Sequence, residues 1–242
     1  NLINKKNKIR SIWLAKNELK KMSFFTQLIW YFTTIGALNF FKLSFFTFYS
    51  FFLRIVNNKP LGFKKLSKSY NIGFFKYDKK VPEIFDNHLR ENKIDILIIM
   101  IGFVLPKSTI NSVRLGVINK HASLLPSFRG LWPYFWTILY DSELGVSYHL
   151  VSENIDSGKI LFQYRIINRF NSMTGFYLYV FSKFKYHINE AINNLIEEKF
   201  INNDTKKSTY FSLPNKRDYE IFSKKSAIIL FDDFFYLKKL YE

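Results

Sequence analysis

Residues 116–130 read GVINKHASLLPSFRG and decide how the rest of the chain is interpreted. The stretch opens with three residues typical of an apolar strand and then changes to polar side chains. Asn119 and His121 are separated by one residue, so on an extended backbone both side chains point to the same face of a sheet. A strand that ends in an amide and an imidazole predicts a ligand site at the carboxyl edge of an α/β sheet.

A second polar stretch, residues 154–158 (NIDSG), adds a carboxylate in a sequence typical of a turn. The chain also contains the patterns N-x-H-x-S-L-L-P-x-x-R-G, P-x-x-W, G-V-x-x-H and D-x-G-x-I-x-x-Q, in that order. Together they resemble the folate-dependent formyltransferase family, which includes the glycinamide ribonucleotide, methionyl-tRNA and sugar N-formyltransferases. The resemblance is concentrated in residues 95–163.

The resemblance implies that Asn119, His121 and Asp156 are the catalytic residues. Formyl transfer to an amine develops an oxyanion, which needs preorganised hydrogen-bond donors, and releases a proton, which needs an acceptor. Asn119 can donate its amide N–H to the formyl oxygen, and a protonated His121 can donate a second hydrogen bond. Asp156 can keep the imidazolium charged and take the amine proton, directly or through a water molecule.

Each of these residue types is more often structural than catalytic when it stands alone in a strand end or a turn. We interpret His88 and His187 as structural, and we expect at most a supporting role for His149 in the G-V-x-x-H segment. For the three catalytic candidates, the ordered motif favours a site, because their chemical roles complement one another.

The resemblance further implies that main-chain groups of two loops hold 10-formyltetrahydrofolate, the formyl donor. One loop follows an apolar strand at residues 96–101, and the other carries Asp156. An apolar slot with a few backbone donors and acceptors suits a flat heteroaromatic ring. The alternative is that residues 103–106 only connect a strand to a helix. The candidate cofactor-binding residues are Gly102, Phe103, Val104, Leu105, Ile110, Ser152, Glu153, Asn154 and Ile155.

Three residues after the catalytic strand are candidate contacts of the acceptor substrate, because loops commonly carry specificity. They are Ser123, Arg129 and Trp132. Two alternatives stay open at this point: Arg129 pins the loop by hydrogen bonds, and Trp132 belongs to the core.

By resemblance, the chain is expected to be a cytoplasmic N-formyltransferase that acts on a small primary amine. A nucleotide-linked amino sugar, as in lipopolysaccharide biosynthesis, is the first expectation for the acceptor. Methionyl-tRNA and glycinamide ribonucleotide are the alternatives. An alternative of another class is a catalytically inactive or membrane-associated binding protein that retains the motif. A homodimer also stays open.

The amino-acid composition limits which metal sites, cross-links and partners we expect. The 242 residues contain no cysteine, which excludes disulfides and thiolate metal sites, and four histidines without close pairing predict no metal. Hydrophobic residues make up 48% of the chain, which predicts a packed core. The net charge of +17 could attract nucleic acid or an anionic membrane. Because the lysines are spread along the chain, we favour solvated faces and do not expect nucleic acid as a partner.

The order of the predicted elements is typical of a Rossmann-like α/β fold with an open, mostly parallel sheet flanked by helices. Predicted strands cover residues 9–14, 72–75, 95–101, 116–118, 145–151 and 159–167. Predicted helices cover residues 61–70, 82–91, 107–113, 133–140 and 172–199. Because the family has one strand–helix unit before the first of these strands, the resemblance implies that this unit, about 25 residues long, is lacking. We expect a catalytic domain at residues 1–170 and a C-terminal helix and tail, residues 171–242, packed on it.

Residues 24–53 form an aromatic segment with a single charged residue, Lys42. Its length would suit a membrane span, but polar residues dilute it and Gly36 interrupts it. The favoured interpretation is a pair of helices that cover the sheet. The alternative is a peripheral contact with the inner face of an anionic membrane, helped by flanking basic residues. These residues are Lys16, Lys20, Lys21, Arg54 and Lys59.

Overall fold

The computed structural model describes residues 8–16, 22–204, 206 and 208–242. The strands are β1 (Ser11–Ala15), β2 (Gly73–Tyr77), β3 (Ile96–Ile99), β4 (Gly116–His121), β5 (Arg129–Gly130), β6 (Gly145–Leu150), β7 (Ile160–Arg165) and β8 (Tyr210–Phe211). The helices are α1 (Phe24–Ile35), α2 (Ala37–Val56), α3 (Phe63–Ser69), α4 (Pro82–Glu91), α5 (Lys107–Asn111), α6 (Pro133–Leu139), α7 (Met173–Ile196), α8 (Lys216–Phe222) and α9 (Phe231–Lys239). Residues 1–7 of the expected catalytic domain and the basic residues Lys20 and Lys21 lie outside the described residues.

Within the described part of the chain, the strands form one four-stranded sheet and two pairs. The larger sheet has the order β3-β4-β6-β7, and the pairs are β1-β2 and β5-β8. The β1-β2, β3-β4 and β5-β8 pairs are parallel, whereas β4-β6 and β6-β7 are antiparallel. The predicted α/β fold with open, mostly parallel sheets is confirmed. The β6 and β7 strands can pair antiparallel because the connection between them, residues 151–159, contains no crossover helix.

Two hydrophobic cores hold these elements together. The larger core lies between the four-stranded sheet, α6, α7 and α8, and α7 contributes the buried stripe that its apolar spacing predicts. Representative members are Ile118, Tyr148, Leu161, Phe176, Val180 and Phe222. The smaller core contains side chains from β2, β4, α4 and the loop after β3. The larger core joins residues from both sides of position 170, which supports our proposal that residues 171–242 belong to the catalytic domain.

The aromatic segment forms two helices that meet at Gly36, whose φ of 82° lies in a region that favours glycine. Ser23 caps α1 by accepting a hydrogen bond from the Thr26 N–H. The predicted helix pair is confirmed, but its predicted position over the sheet is wrong. Its main tertiary contacts are with α8 and α9, because the inner residues of α1 and α2 meet the apolar faces of those helices. No helix among the described residues is long and apolar enough to cross a membrane.

A buried carboxylate ties the start of α9 to the start of α7. Asp233 accepts hydrogen bonds from the Ser172 hydroxyl at 2.7 Å and from the Leu230 N–H at 2.7 Å. Ser172 in turn caps α7 by accepting from the Gly175 N–H. Because both polar side chains are buried, loss of one leaves the other with fewer partners away from water.

We expect Asp233→Ala to lower the free energy of unfolding by about 1–3 kcal/mol. Urea denaturation followed by circular dichroism measures this change. Asp232→Ala, at the exposed neighbouring position of the same helical turn, is the matched control and should change stability by less. Equal losses for the two variants would contradict the role of the buried carboxylate.

Candidate active site

The three catalytic candidates converge on one buried point. Asn119 and His121 extend from the same face of β4, and Asp156 lies in the loop between β6 and β7. The Asp156 carboxylate lies 3.5 Å from His121 Nδ1 and 3.4 Å from Asn119 Nδ2. The side chains of His121 and Asp156 are only 6% and 9% exposed. The structure therefore brings these three residues together as one group, called here the Asn–His–Asp cluster.

The contacts of the His121 ring determine which nitrogen carries a proton. His121 Nε2 lies 2.7 Å from the Phe128 carbonyl oxygen, which can only accept, so Nε2 donates. Nδ1 is left facing Asp156. Burial lowers the pKa of His121, while the Asp156 carboxylate and the Phe128 carbonyl oppose this effect. In the neutral ring that burial favours, the proton lies on Nε2 and the Nδ1 lone pair points toward the carboxylate.

Asp156 is held in its ionised form. Burial by itself would raise the pKa of Asp156, but attraction to a protonated His121, contact with His149 and a hydrogen bond from the Gly130 N–H outweigh burial and lower this pKa well below its usual range. The Gly130 N–H donates to the carboxylate at 2.9 Å. The cluster therefore contains a permanent negative charge next to the free nitrogen of His121.

His149 belongs to the same site more closely than its predicted supporting role suggested. The residue lies opposite Asn119 in the β4-β6 register. Its Nδ1 donates to the Leu150 carbonyl at 2.8 Å, and its Nε2 lies 3.4 Å from both Asn119 Nδ2 and Asp156 Oδ1. The G-V-x-x-H pattern is the signal that marks it in the sequence. Within the described residues, no group of three or more His, Asp or Glu is arranged to hold a metal ion.

Residues 56–168 match the protein family described as formyl transferase, and this segment includes the whole Asn–His–Asp cluster. The chain contains a formyl transferase domain.

Curated relatives and solved structures extend this finding. Over 104 residues the chain is 36% identical to a methionyl-tRNA formyltransferase of Bacteroides thetaiotaomicron. The aligned segment covers 43% of this chain and 32% of that protein. The chain thus spans about a third of the length of this methionyl-tRNA formyltransferase and of two similar ones.

Two solved structures share the fold. One is the formyltransferase PseJ from Anoxybacillus kamchatkensis, in complex with UDP-4,6-dideoxy-4-formamido-L-AltNAc and tetrahydrofolate. It is 22% identical, with 66% of this chain and 86% of that chain covered at a TM-score of 0.50. The other is glycinamide ribonucleotide transformylase 1 from Symbiobacterium toebii, which is 14% identical, with 62% and 73% covered at a TM-score of 0.51.

A residue far along the sequence holds the backbone around Asp156 in the formyl transferase domain. Asp156 has a φ of 50°, which non-glycine residues seldom adopt. The Asn203 side-chain amide donates to the carbonyls of Asp156 at 3.1 Å and of Gly158 at 2.9 Å. A Cβ at position 158 would lie 1.9 Å from the Leu150 carbonyl oxygen, so the D-x-G pattern needs glycine there. Asn203 was missed in the sequence, because no pattern links it to a turn 47 residues earlier.

A second set of hydrogen bonds holds the loop after β4. The Ser147 hydroxyl donates to the Ser123 carbonyl at 2.7 Å and accepts from the Leu125 N–H at 2.9 Å. The Gln163 amide donates to the Leu125 carbonyl at 2.8 Å. These bonds position the loop whose Phe128 carbonyl orients His121. The final glutamine of the D-x-G-x-I-x-x-Q pattern therefore supports the site through this loop.

The predicted acceptor contacts have other partners. Ser123 is fully buried and donates to the Ser127 carbonyl of its own loop, and its contact with the acceptor stays a prediction. Arg129 donates to the Ser208 hydroxyl at 3.3 Å, which matches the alternative of loop pinning. Trp132 packs edge-to-face against Trp30 at a centroid distance of 5.1 Å, which matches the alternative of a core residue. Each of the three side chains thus has a partner within the protein, and only Ser123 is fully buried.

The first predicted folate loop follows β3. Gly102 and Val104 are exposed, whereas Leu105 is buried in the smaller core. Phe103 and Ile110 pack partly against the same core. Leu105 therefore fits the alternative of a strand-to-helix connection and Ile110 packs from α5, whereas Val104 is exposed.

The second predicted folate loop lies next to the first. Glu153 forms a 2.5 Å ion pair with Lys107 at the start of α5, and this contact joins the two loops. Within the second loop, the Ser152 and Ser157 hydroxyls lie 2.8 Å apart, and Ser157 donates to the Asn154 carbonyl at 2.9 Å. Ile155 is 39% exposed. The pair of loops thus presents backbone polar groups beside exposed apolar side chains.

The charge state of His121 can be tested by titration. We expect the His121 ring to titrate below about pH 6.5, the ordinary value for histidine. Asp156→Asn should lower the pKa of His121 further, because the carboxylate stabilises the imidazolium. NMR spectra of ring-labelled histidine measure both values, with His121→Asn to assign the signal. Asp141→Asn, at a surface position, is the control and should leave the pKa unchanged.

The lowered pKa of His121 in the folded chain also makes stability depend on pH. Because the unfolded chain binds this proton at higher pH than the folded chain, the free energy of unfolding should fall as pH drops from about 6.5 through the folded pKa. A rise in the pKa of His121 on Asp156→Asn would contradict the electrostatic description of the site.

Proposed function

We propose that this chain transfers a formyl group from 10-formyltetrahydrofolate to a primary amine. The observation that carries the proposal is the convergence of an amide, a neutral imidazole and an ionised carboxylate at one buried point of a formyl transferase domain. These are the groups that acyl transfer to an amine requires, since one must bind an oxyanion and another must take a proton.

The two loops joined by Lys107 and Glu153 suit the folate. Their exposed Val104 and Ile155 side chains would cover the faces of a heteroaromatic ring, and the backbone groups between them would bind its polar edge. When bound, 10-formyltetrahydrofolate supplies an electrophilic formyl carbon.

Asn119 is the proposed donor to the developing oxyanion. Its Nδ2 contacts with His149 and Asp156 are both 3.4 Å long, beyond the usual range of a strong N–H···O bond. The amide can therefore form a shorter hydrogen bond to a carbonyl oxygen without breaking a strong one. The position of Asn119 on a paired strand holds the donor in place before the reaction, which is the source of its catalytic effect.

His121 Nδ1 is the proposed proton acceptor. The nitrogen is unprotonated in the neutral tautomer that the Phe128 carbonyl selects, and the imidazolium that forms on proton uptake lies 3.5 Å from the Asp156 carboxylate. The low pKa of Asp156 makes the carboxylate a weak base but an effective counter-charge. This assignment exchanges the two roles expected from sequence, where His121 donated a hydrogen bond and Asp156 took the proton.

For the acceptor we propose the amino group of a nucleotide-linked amino sugar. Support comes from the resemblance of the R-G-x-x-P-x-x-W segment to sugar N-formyltransferases, and PseJ, which shares the fold, was solved with a UDP-linked formamido sugar. Methionyl-tRNA is the second candidate, favoured by the 36% identity to a methionyl-tRNA formyltransferase and by the net charge of +17.

Substitutions in the cluster test the reaction. We expect Asn119→Ala, His121→Asn and Asp156→Asn each to lower kcat about 10²-fold or more. The first removes the oxyanion donor, the second the base and the third the counter-charge of the base. Release of tetrahydrofolate, followed by absorbance, measures turnover. His88→Asn makes the same change at a ring bonded to Ser11 and should keep kcat.

The pH profile separates the two versions of the mechanism. If His121 acts as the base, kcat/KM falls on acidification through the lowered pKa of His121. A rate that rises on acidification would instead restore the donor role expected from sequence. Unchanged rates in the cluster variants would contradict the proposed site.

A panel of acceptors tests the substrate. Purified protein with 10-formyltetrahydrofolate is incubated with UDP- and dTDP-linked amino sugars, glycinamide ribonucleotide and methionyl-tRNA, and the products are identified by mass spectrometry. We expect formylation of an amino sugar. Formylation of methionyl-tRNA alone would overturn the sugar while keeping the formyltransferase activity.

A further inference from the structure

Helices α1 and α2 expose many aromatic side chains to solvent. Phe41, Phe45, Phe48 and Phe52 recur every three or four residues and so line one side of α2. Their exposed fractions are 62%, 60%, 66% and 50%. On α1, Phe25, Ile29 and Phe32 form an exposed stripe of the same spacing. Away from these stripes, Ile35 of α1 and Leu53 of α2 are buried, so each helix also has a core-facing side.

Helix α9 extends this surface. Phe234 packs against Phe45 and Tyr49, which places α9 beside α2, and the exposed Phe231 and Phe235 share one side of α9. We call the exposed side chains of α1, α2 and α9 the phenylalanine face. With aromatic side chains of about 200 Å² each, this face exposes on the order of 1,000 Å² of apolar surface. The largest apolar patch of an ordinary monomer is about 300–600 Å².

Basic residues are the only charged ones in the part of the chain that contains α1 and α2. Residues 22–77 contain seven Lys or Arg residues and neither Asp nor Glu. At the end of α2, Arg54, Lys59 and Lys65 line a shallow cleft of about 370 Å³ together with Ile55 and Leu61. On α9, the exposed Asp232 is offset by basic residues in the last turn. The aromatic surface therefore ends in a cationic cleft.

We propose that the phenylalanine face lies on an anionic membrane surface, with its aromatic rings at the acyl boundary and the Arg54–Lys59–Lys65 cleft against lipid phosphates. Helices with an apolar side, a basic border and too little hydrophobicity to span a bilayer bind in this way. Basic residues near such a surface each add to the attraction. This inference concerns a surface outside the Asn–His–Asp cluster and does not depend on the proposed reaction.

Charge argues against the phenylalanine face as a dimer interface. In a symmetric dimer the same patch meets itself, so two surfaces in which basic residues outnumber acidic ones would face each other. Like charges brought together in this way weaken association. Anionic lipid supplies the opposite charge along the whole border.

Flotation of the full chain with lipid vesicles tests the proposal. We expect binding to vesicles of equal parts phosphatidylcholine and phosphatidylglycerol at about 0.1 M salt, and much weaker binding at about 0.5 M, where screening is stronger. Vesicles of phosphatidylcholine alone should bind much less protein. Failure to bind the anionic vesicles would overturn the proposal.

Two pairs of variants separate the apolar and electrostatic contributions. Phe41→Gln with Phe48→Gln should weaken partitioning about 100-fold, because two exposed aromatic rings no longer enter the interface. The matched control is Ile84→Gln with Ile196→Gln, two exposed apolar residues on α4 and α7. Equal losses in both pairs would overturn the assignment to the phenylalanine face.

For the charges, Arg54→Gln with Lys59→Gln should weaken binding by on the order of tenfold or more. Lys183→Gln with Lys185→Gln removes the same charge from α7 and is the control. Equal effects of the two pairs would overturn the assignment to the cleft. Circular dichroism and thermal unfolding establish that each variant is folded.

A label on the native surface gives an independent measurement. Because the chain has no cysteine, Phe48→Cys or Tyr186→Cys creates a unique site for an environment-sensitive fluorophore. We expect anionic vesicles to shift the emission of the label at position 48 to shorter wavelength, and not that at position 186. A protein that forms dimers through position 48, seen by sedimentation and without a shift on vesicles, would show a self-association face and overturn the membrane proposal.

Discussion

The buried negative charge of Asp156 is the constraint around which the site is organised. An isolated carboxylate away from water is costly, so the surrounding structure has to supply donors and positive partners. It does so from separate elements: the Gly130 N–H from β5, His121 from β4 and His149 from β6. These elements meet at the point where the charge lies.

Polar residues outside the Asn–His–Asp cluster support the backbone that carries it. Asn203 holds the backbone on either side of the D-x-G turn, while Ser147 and Gln163 hold the loop that presents the Phe128 carbonyl. Buried hydrogen-bond networks of this kind limit alternative arrangements, because each lost partner leaves a polar group unsatisfied. The tautomer of His121 thus depends on the Phe128 carbonyl and, through the loop that presents it, on side chains that do not touch the ring.

The site and the phenylalanine face are joined through one loop. Gly130 donates to Asp156, and two residues later Trp132 packs against Trp30 and Tyr31 of α1. The αL conformation of Trp132, with a φ of 54°, turns its side chain toward that helix at the start of α6. A single turn of the chain therefore contacts a buried polar site on one side and, on the other, a helix whose outer surface is apolar and exposed.

The sequence by itself determined the local elements and the chemistry. Alternation along β4 put Asn119 and His121 on one face, the spacing of apolar residues predicted α7, and the ordered motif identified the carboxylate partner. Only the tertiary structure decided that His149 joins the cluster, that Asn203 supports Asp156, that Ser123 is buried, and that β8, α8 and α9 form at all. The physical reason is that periodicity and turn chemistry act over a few residues, whereas strand register and packing join residues that no local pattern relates.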